Sequence, residues 1–490
     1  MPPARKRPSG HGSGDGGGRG KGRGGHGHPS RNRRPGGPRR TGGPEDLVRR
    51  TAFDVIRAVE TRDAYANLLL PARLRDRELT GRDAALATEL TYGTLRGRGT
   101  YDAVLAMCSD RQLRRIDPPL LDVLRLGAHQ ILATRIPPHA AVGTAVDLAR
   151  SVAGPGQAKF ANAVLRKVAT RDLAGWLAIV VPEGGGEAAR FSVAYSHPKW
   201  IVSALRDALG PDRGEIEALL EADNQRPRVT LVARPGRATV EELREAGAEA
   251  APYSPYAAVL PEGDPAAIAA VREGRAAVQD EASQLVALAM AAAPVEGRDA
   301  LWADLCAGPG GKAGLLSALA GERDARLLAA DLQPHRAALV ARAVDGRAGV
   351  VVADGTAPAW RPGAFDRVLL DVPCTGLGAL RRRPEARWRR GPEAVAELGP
   401  IQRDLLRRAL DSVRSGGVVA YVTCSPHLAE TRVVVDDVLR GRDDVERLDS
   451  PAVLASVVPG LTGLGDGPYA QFWPHRHGTD AMFLALLRRG

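Results

Sequence analysis

Five short apolar runs between residues 300 and 424 lead into side chains able to bind or react. ALWADL (300–305) opens into DLCAGPGGK (304–312). ARLLAAD (325–331) ends in Asp331 and GVVVAD (349–354) in Asp354. FDRVLLDVP (365–373) carries Asp371, with Cys374 just beyond it, and GGVVAYVTC (416–424) ends in Cys424. Gly308, Gly310 and Gly311 permit a tight turn and close backbone approach to a ligand at the start of a helix. An acid at the tip of the second strand can hold ribose hydroxyls. A cysteine is ordinarily a small buried hydrophobe, but it becomes a nucleophile once deprotonated. Two thiols and three carboxylates at strand ends therefore describe one reactive crevice. The loop spacing departs from GxGxxG, which argues against a dinucleotide site.

The elements that position these groups follow from periodicity. From about residue 298 the rhythm is strand, turn, helix, which predicts a mainly parallel, doubly wound α/β sheet with ligands at the strand C-termini. Residues 44–172 read differently. LVRRTAFDVIRAVE (47–60) and PLLDVLRLGAHQILAT (119–134) repeat apolar residues at i, i+3, i+4 and i+7, so this part is expected to be an all-α domain. Cys108 falls among its apolar positions and is expected in its core. Residues 173–195, with the Gly184–Gly186 run, read as an irregular linker. Residues 196–280 alternate helix and strand (200–209, 214–222, 226–233, 241–247, 256–260) and predict a small α+β, RRM-like region. Residues 281–490 form the α/β, Rossmann-like part.

The chain has 490 residues, a formal charge of +11 and 44% hydrophobic residues. That length suits several domains, and the hydrophobic content excludes a wholly disordered protein. Residues 1–43 hold eleven Arg or Lys and one acid, so nearly all the excess charge lies there and the remaining 447 residues carry about +1. This Gly/Arg/Pro/His segment cannot offset its ordering entropy by burial and is expected to be disordered. It reads either as a non-specific RNA contact or as a solvated extension without a specific role. No uncharged apolar run approaches membrane-spanning length, and no secretory leader is evident. The four cysteines form no CxxC pair, so neither a structural zinc site nor a disulfide framework is expected. The expected protein is cytoplasmic and monomeric, with free thiols and no metal.

DLCAGPGGK, the LLDVPCTG and YVTCSP pair, and QDEASQ (279–284) together resemble the RsmB/Fmu (Sun-type) family of RNA cytosine-5 methyltransferases. ELTYGTLRGR (89–98), IPPHAAVGTAVDLAR (136–150) and KFANAVLRK (159–167) are similar to the NusB-like RNA-binding domain preceding the catalytic domain in the bacterial ribosomal-RNA enzymes. SHPKWIV (196–202), NQRPRVTL (224–231) and HGTDAMFLALLRR (477–489) extend the likeness to nearly the whole chain outside the tail and linker. Two departures stand out. The family often has Glu-Asn after the TCS motif, where this chain has Ala429-Glu430-Thr431, and often Gly-Phe where it has Ala481-Met482.

The resemblance implies S-adenosylmethionine as cofactor and RNA as partner: 16S ribosomal RNA first, alone or in an assembling small subunit, with tRNA as the alternative. It implies that the loop Cys306, Ala307, Gly308, Pro309, Gly310, Gly311 and Lys312 embraces the methionine part. Asp331 would hold the ribose, Asp354 would lie near the adenine, and Asp371 would bond the cytosine edge. Cys424 would be the nucleophile, with Cys374 assisting product release. Cytosine C5 is too weak a nucleophile unaided, and a thiolate adding at C6 makes it one. On this view Asp371 donates or shares a proton at the base edge, which favours a raised pKa. Which cysteine attacks comes from the likeness alone. The segment ALRRRPEARWRRGPE (379–393) reads as an RNA contact through Arg381, Arg382, Arg383 and the stacking Trp388, with a solvated charged loop as the alternative. Lys167 on the helical domain reads first as the solvated edge of a core helix and second as an RNA contact. A non-catalytic RNA-binding or assembly factor and a dinucleotide oxidoreductase are the competing readings.

Overall fold

Apolar residues at three- and four-residue spacing fold the first part of the chain into helices around one core. In this computed structural model, which describes residues 46–490, the helix Leu47–Arg62 starts at Asp46, whose side chain accepts from the Arg49 N–H. The tail expected over residues 1–43 lies outside the described residues. Phe53, Ile56 and Val59 face Leu120 and Leu124 of the helix Pro118–Ala133, and Cys108 is buried among them. Each such aliphatic or aromatic side chain contributes about 1.5–3 kcal/mol relative to exposure.

The expected irregular linker is instead two helices, Leu173–Val180 and Glu187–Ala194, with the glycine run confined to the turn between them. Each helix carries an anchoring aromatic. Trp176 inserts into the first core and donates Nε1–H to the Val168 carbonyl at 2.8 Å. Phe191 joins a second core with Leu205, Leu377 and Leu380. Gly185 and Gly186 supply the positive φ (89° and 80°) that the turn requires.

Next come the helices Lys199–Leu209 and Ile216–Asn224. They precede a four-stranded antiparallel sheet of β1 (Val229–Ala233), β2 (Glu249–Ala250), β3 (Ala257–Leu260) and β4 (Ala276–Val278), in the order β2-β3-β1-β4. The expected α+β region is present, with β2 and β4 too short to show a pattern in the sequence. The remaining strands are β5 (Leu301–Leu305), β6 (Arg326–Asp331), β7 (Gly349–Val352), β8 (Phe365–Asp371), β9 (Val413–Thr423), β10 (Val445–Arg447), β11 (Ala470–Gln471) and β12 (Phe483–Arg489). They form one sheet in the order β10-β12-β9-β8-β5-β6-β7, with β11 beside β12. β9, β8, β5, β6 and β7 run parallel, and β12 is antiparallel to β9.

Helices cover both faces of this sheet, as a parallel sheet demands. Glu281–Ala292 and Gly311–Gly321 pack on one face with Trp302 and Leu369. Glu393–Ser412 and Arg432–Leu439 pack on the other with Leu370, Val419 and Tyr421. Register aligns the reactive tips: Leu305 pairs with Ala330 and with Leu370, and Asp371 with Val422. Asp331, Asp371 and Cys424 thus emerge at one level. No described helix is long and apolar enough to cross a membrane.

Candidate active site

The two sulfurs at the strand tips face each other, with Cys374 Sγ 3.4 Å from Cys424 Sγ. Backbone bonds set that distance. The Gly378 N–H donates to the Cys424 carbonyl, and the Ala481 N–H to the Gly378 carbonyl, both at 2.8 Å. A Cβ on Gly378 would stand 1.9 Å from the Ala481 oxygen, so only glycine fits the crossing.

The pair is electrostatically unequal. The Cys424 thiol is lowered, first because the Cys374 S–H donates to it. Burial and Asp371 oppose this, while Lys312 and Arg383 add to it. The Cys374 thiol is pushed well up by that same bond, by burial, and by the negative charge of Cys424, Glu430 and Asp371. The pair is therefore polarised, with Cys424 the more acidic thiol and Cys374 the one that holds its proton more firmly. Beside them, Lys312 Nζ donates to Asp371 Oδ2 at 2.9 Å. Burial disfavours the Lys312 ammonium, but Asp371 outweighs it and the group is raised. Asp371 is thus held by an ammonium that keeps its own proton, and Lys312 brings a proton donor to the pocket beyond the cofactor-loop role implied for it.

A cavity of about 460 Å³ adjoins the thiols. Cys306, Gly308, Asp331, Asp354, Asp371, Cys374 and Cys424 line it; Ala307, Pro309, Gly310, Gly311 and Lys312 shape the loop behind it. The Asp331 carboxylate is buried and accepts from the Gly308 and Gln333 N–H groups, each at 2.9 Å. A Cβ at Gly308 would meet Asp331 Oδ2 at 2.6 Å, which is why the loop needs glycine there. Asp331 keeps lone pairs for a diol. Asp354 is exposed, and its Oδ1 accepts from the Thr356 N–H and hydroxyl. Leu332, Ile401 and Tyr65 are large apolar side chains left 56%, 44% and 44% exposed on this one cavity, a surface that suits a planar base. These residues fit the S-adenosylmethionine that the family resemblance implies. Cys306 adopts a left-handed φ of 64°, and burial raises its thiol, so it is inert.

Two acids were missed. Glu430 is fully buried and clamps the Cys374 loop. Its carboxylate accepts from the Thr375 N–H (2.7 Å), the Thr375 hydroxyl (2.5 Å) and Gln402 Nε2 (3.3 Å), while Gln402 also holds the Pro373 carbonyl. Its sequence signal is a lone acid six residues after Cys424. Asp304 is fully buried on β5 with neither oxygen hydrogen-bonded among the described residues; burial and then Asp371 push its carboxyl well up. Nothing in a strand-end pattern separates it from its apolar neighbours.

The arginine-rich segment departs from its expected role. Arg381 and Arg382 are ion-paired to Asp280 (3.1 and 2.5 Å) and Asp480 (2.9 Å each), joining QDEASQ to the closing strand. Arg387 is fully buried and donates to the Arg96, Ser196 and Asp223 carbonyls and to Asn224 Oδ1. Burial holds its guanidinium down to about 9. Trp388 lies under Arg98 of the helical domain and against Gly99. These side chains fasten domains together because two buried carboxylates and a ring of carbonyls claim them first. Arg383 and Arg390 stay exposed at the cavity wall. Lys167 is exposed and paired with Asp110 at 3.2 Å, and it does not line the cavity.

The family model described as 16S rRNA methyltransferase RsmB/F matches residues 289–488, and that of the NusB family matches residues 47–170. A Mycobacterium tuberculosis protein provisionally named a methyltransferase is 52% identical over 456 residues, covering 92% of this chain and 98% of that protein. The ribosomal RNA small subunit methyltransferase B of an Escherichia coli strain is 30% identical, covering 88% and 95%. Among solved structures, that of PH0851 superposes with a TM-score of 0.73 at 23% identity, covering 91% of this chain and 99% of that one, a likeness of fold.

Proposed function

The chain belongs to the RsmB/F family of S-adenosylmethionine-dependent rRNA methyltransferases, and from that membership we propose that it methylates C5 of a cytosine in 16S rRNA through a Cys424–C6 adduct. The observation that carries the reading is the unequal thiol pair, 3.4 Å apart, beside Lys312–Asp371.

The lowered Cys424 thiolate adds to C6 and turns C5 into an enamine-like carbon. Bound S-adenosylmethionine supplies the electrophilic sulfonium methyl that C5 accepts. Asp371 and Lys312 face the N3/N4 edge, where Lys312 can donate as negative charge develops and Asp371 can accept from the exocyclic amine. Once Cys424 is engaged on the base, Cys374 releases its own proton to solvent and its thiolate takes the C5 proton; the C5–H electrons form the C5–C6 double bond, the C6–S bond breaks, and Cys424 departs as thiolate. Asp331 and Asp354 are assigned the ribose and adenine ends of the cofactor, and exposed Arg383 the RNA backbone. A first domain boundary falls between Trp176, which belongs to the first core, and Phe191, which belongs to the second, and another near residue 280, between the four-stranded sheet and the parallel one.

The test is a pair of variants incubated with tritiated S-adenosylmethionine and 16S rRNA, with the methylated base located by bisulfite sequencing. Cys424→Ala is expected to abolish methylation. Cys374→Ala is expected to accumulate an enzyme–RNA adduct stable on denaturing gels. Normal turnover in Cys424→Ala, or an adduct in Cys424→Ala instead of Cys374→Ala, would reverse or remove the assignment.

A further inference from the structure

The ELTYGTLRGR motif is not used by the catalytic cavity. It forms the end of the helix Gly81–Arg96 and the start of the helix Arg98–Cys108. Glu89, Gly93, Arg96 and Gly97 recur at helical spacing, and all four line a second cavity of about 250 Å³. Its other walls include His129, Tyr101, Tyr195, Ser196 and Asn224, so it lies on the seam between the helical domain and the small region.

The seam leaves donors without partners. Arg96 makes no side-chain hydrogen bond or ion pair among the described residues, and its Nε is fully buried. His129 is 2% exposed. Its Nδ1 meets the Tyr101 hydroxyl at 2.9 Å, and Nε2 faces Glu89 Oε1 at 3.5 Å, a long contact that lowers the Glu89 carboxyl and leaves Arg96 as the unpaired donor of the cavity. Gly93 exists to admit this imidazole, because a Cβ there would lie 2.1 Å from His129 Cε1. Arg226, exposed and also without a partner among the described residues, lies near enough to add its charge to both Arg96 and Glu89. Leaving buried donors unpaired is costly unless a ligand meets them. Two guanidiniums against one carboxylate leave a net positive field, and a planar guanidinium matches a phosphate bidentately.

One segment, 379–393, borders both this cavity and the catalytic one. Arg387 closes its floor through the Arg96 and Ser196 carbonyls and Asn224. Arg383, Arg389 and Arg390 of the same segment line the catalytic cavity.

We propose that Arg96, with His129 in the wall of the same cavity, forms a subsite for a backbone phosphate of the RNA substrate. The inference rests on RNA being the substrate, not on which atom is methylated.

The test measures anisotropy of a fluorescein-labelled oligocytidylate RNA on the full chain carrying Cys424→Ala, so that no turnover intrudes. Arg96→Gln is expected to weaken binding by about tenfold, near the lower end for a hydrogen bond to a charged group. It should also reduce the slope of log K against log salt by about 0.7, one single-strand phosphate contact. Glu89→Gln, which removes the only carboxylate, should tighten binding about threefold, the scale of one exposed charge pair. Unchanged affinity in Arg96→Gln, or weaker binding at an unchanged slope, overturns the proposal. If Arg96→Gln does not fold, the absence of tightening in Glu89→Gln overturns it. Calorimetry with inorganic phosphate alone separates the sources: Arg96-dependent binding of that ion with no effect on the RNA slope would mean a free-phosphate site and refute the RNA subsite. A parent chain that binds no RNA would instead refute the RNA reading itself.

Discussion

Glu430 offers the sharpest test of how the thiol pair is held. In Glu430→Ala the Thr375 N–H loses its acceptor at 2.7 Å in a fully buried place. The Thr375 hydroxyl can turn to Ser425 Oγ at 3.3 Å, and Gln402 keeps the Pro373 carbonyl at 2.9 Å. One donor is therefore orphaned, at about 1–3 kcal/mol, and the void left by the carboxyl adds roughly 1–2 kcal/mol. The sum, about 2–5 kcal/mol, corresponds to a fall in thermal midpoint of about 5–15 °C for a unit of this size. The Cys374 loop loses its tether, so multiple turnover should slow by about 100-fold, the lower range for a displaced proton-carrying group, with adduct accumulating on denaturing gels. Glu430→Gln is isosteric and keeps one acceptor for the Thr375 N–H. It removes a negative charge that raises Cys374, so that thiol should ionise more easily and the alkaline limb of the kcat profile should move to lower pH. An unchanged midpoint and turnover in Glu430→Ala, or an alkaline limb moving upward in Glu430→Gln, would refute the clamp.

Replacing both Arg381 and Arg382 by Gln strands buried Asp280 and Asp480; a loss of about 3–5 kcal/mol is expected in denaturant titration, whereas Arg383→Gln should leave stability unchanged and lower the RNA salt slope by about 0.7. Asp331→Ala frees the Gly308 and Gln333 N–H groups and should weaken S-adenosylmethionine in calorimetry by at least about tenfold, without altering RNA affinity. Burial pushes the Asp223 carboxyl up to about 7 despite Arg387. The folded state then keeps a proton that the unfolded chain releases above its ordinary value near 3.8. That contribution is fully present below the lower value and is lost as pH rises through about 4–7. Asp223→Asn should flatten this slope in melting curves recorded across the window; an identical slope would refute the assignment.

The sheet was legible because its strands are apolar runs ending in acids or cysteines, and register then brought those ends together. The cofactor loop was legible through its glycines, two of which are required by contacts as close as 2.6 Å to Asp331 Oδ2 and Ala343 Cβ. The linker was misread because a glycine run dominates the local pattern, while the anchoring of Trp176 and Phe191 depends on cores distant in sequence. The arginine segment was misread for a related reason. A run of like charges looks solvated until its acids appear, and Asp280 and Asp480 lie about 100 positions away on either side. Glu430 and Asp304 escaped notice because a buried acid is defined by what surrounds it, and sequence order does not show that.

The crossing at Gly378 bears on how this enzyme can diverge. Cys374, Cys424 and the closing strand are spaced by main-chain bonds, and Ala481 contributes only its N–H and carbonyl to them. The side chains at 481 and 482 take no part in these bonds; both are buried, Met482 in the core on one face of the sheet, so any pair that packs there leaves the crossing intact. Position 378 has no such freedom: any side chain there would part the two sulfurs. A single hydrogen atom on one glycine therefore sets a limit on inherited variation that neither cysteine motif displays.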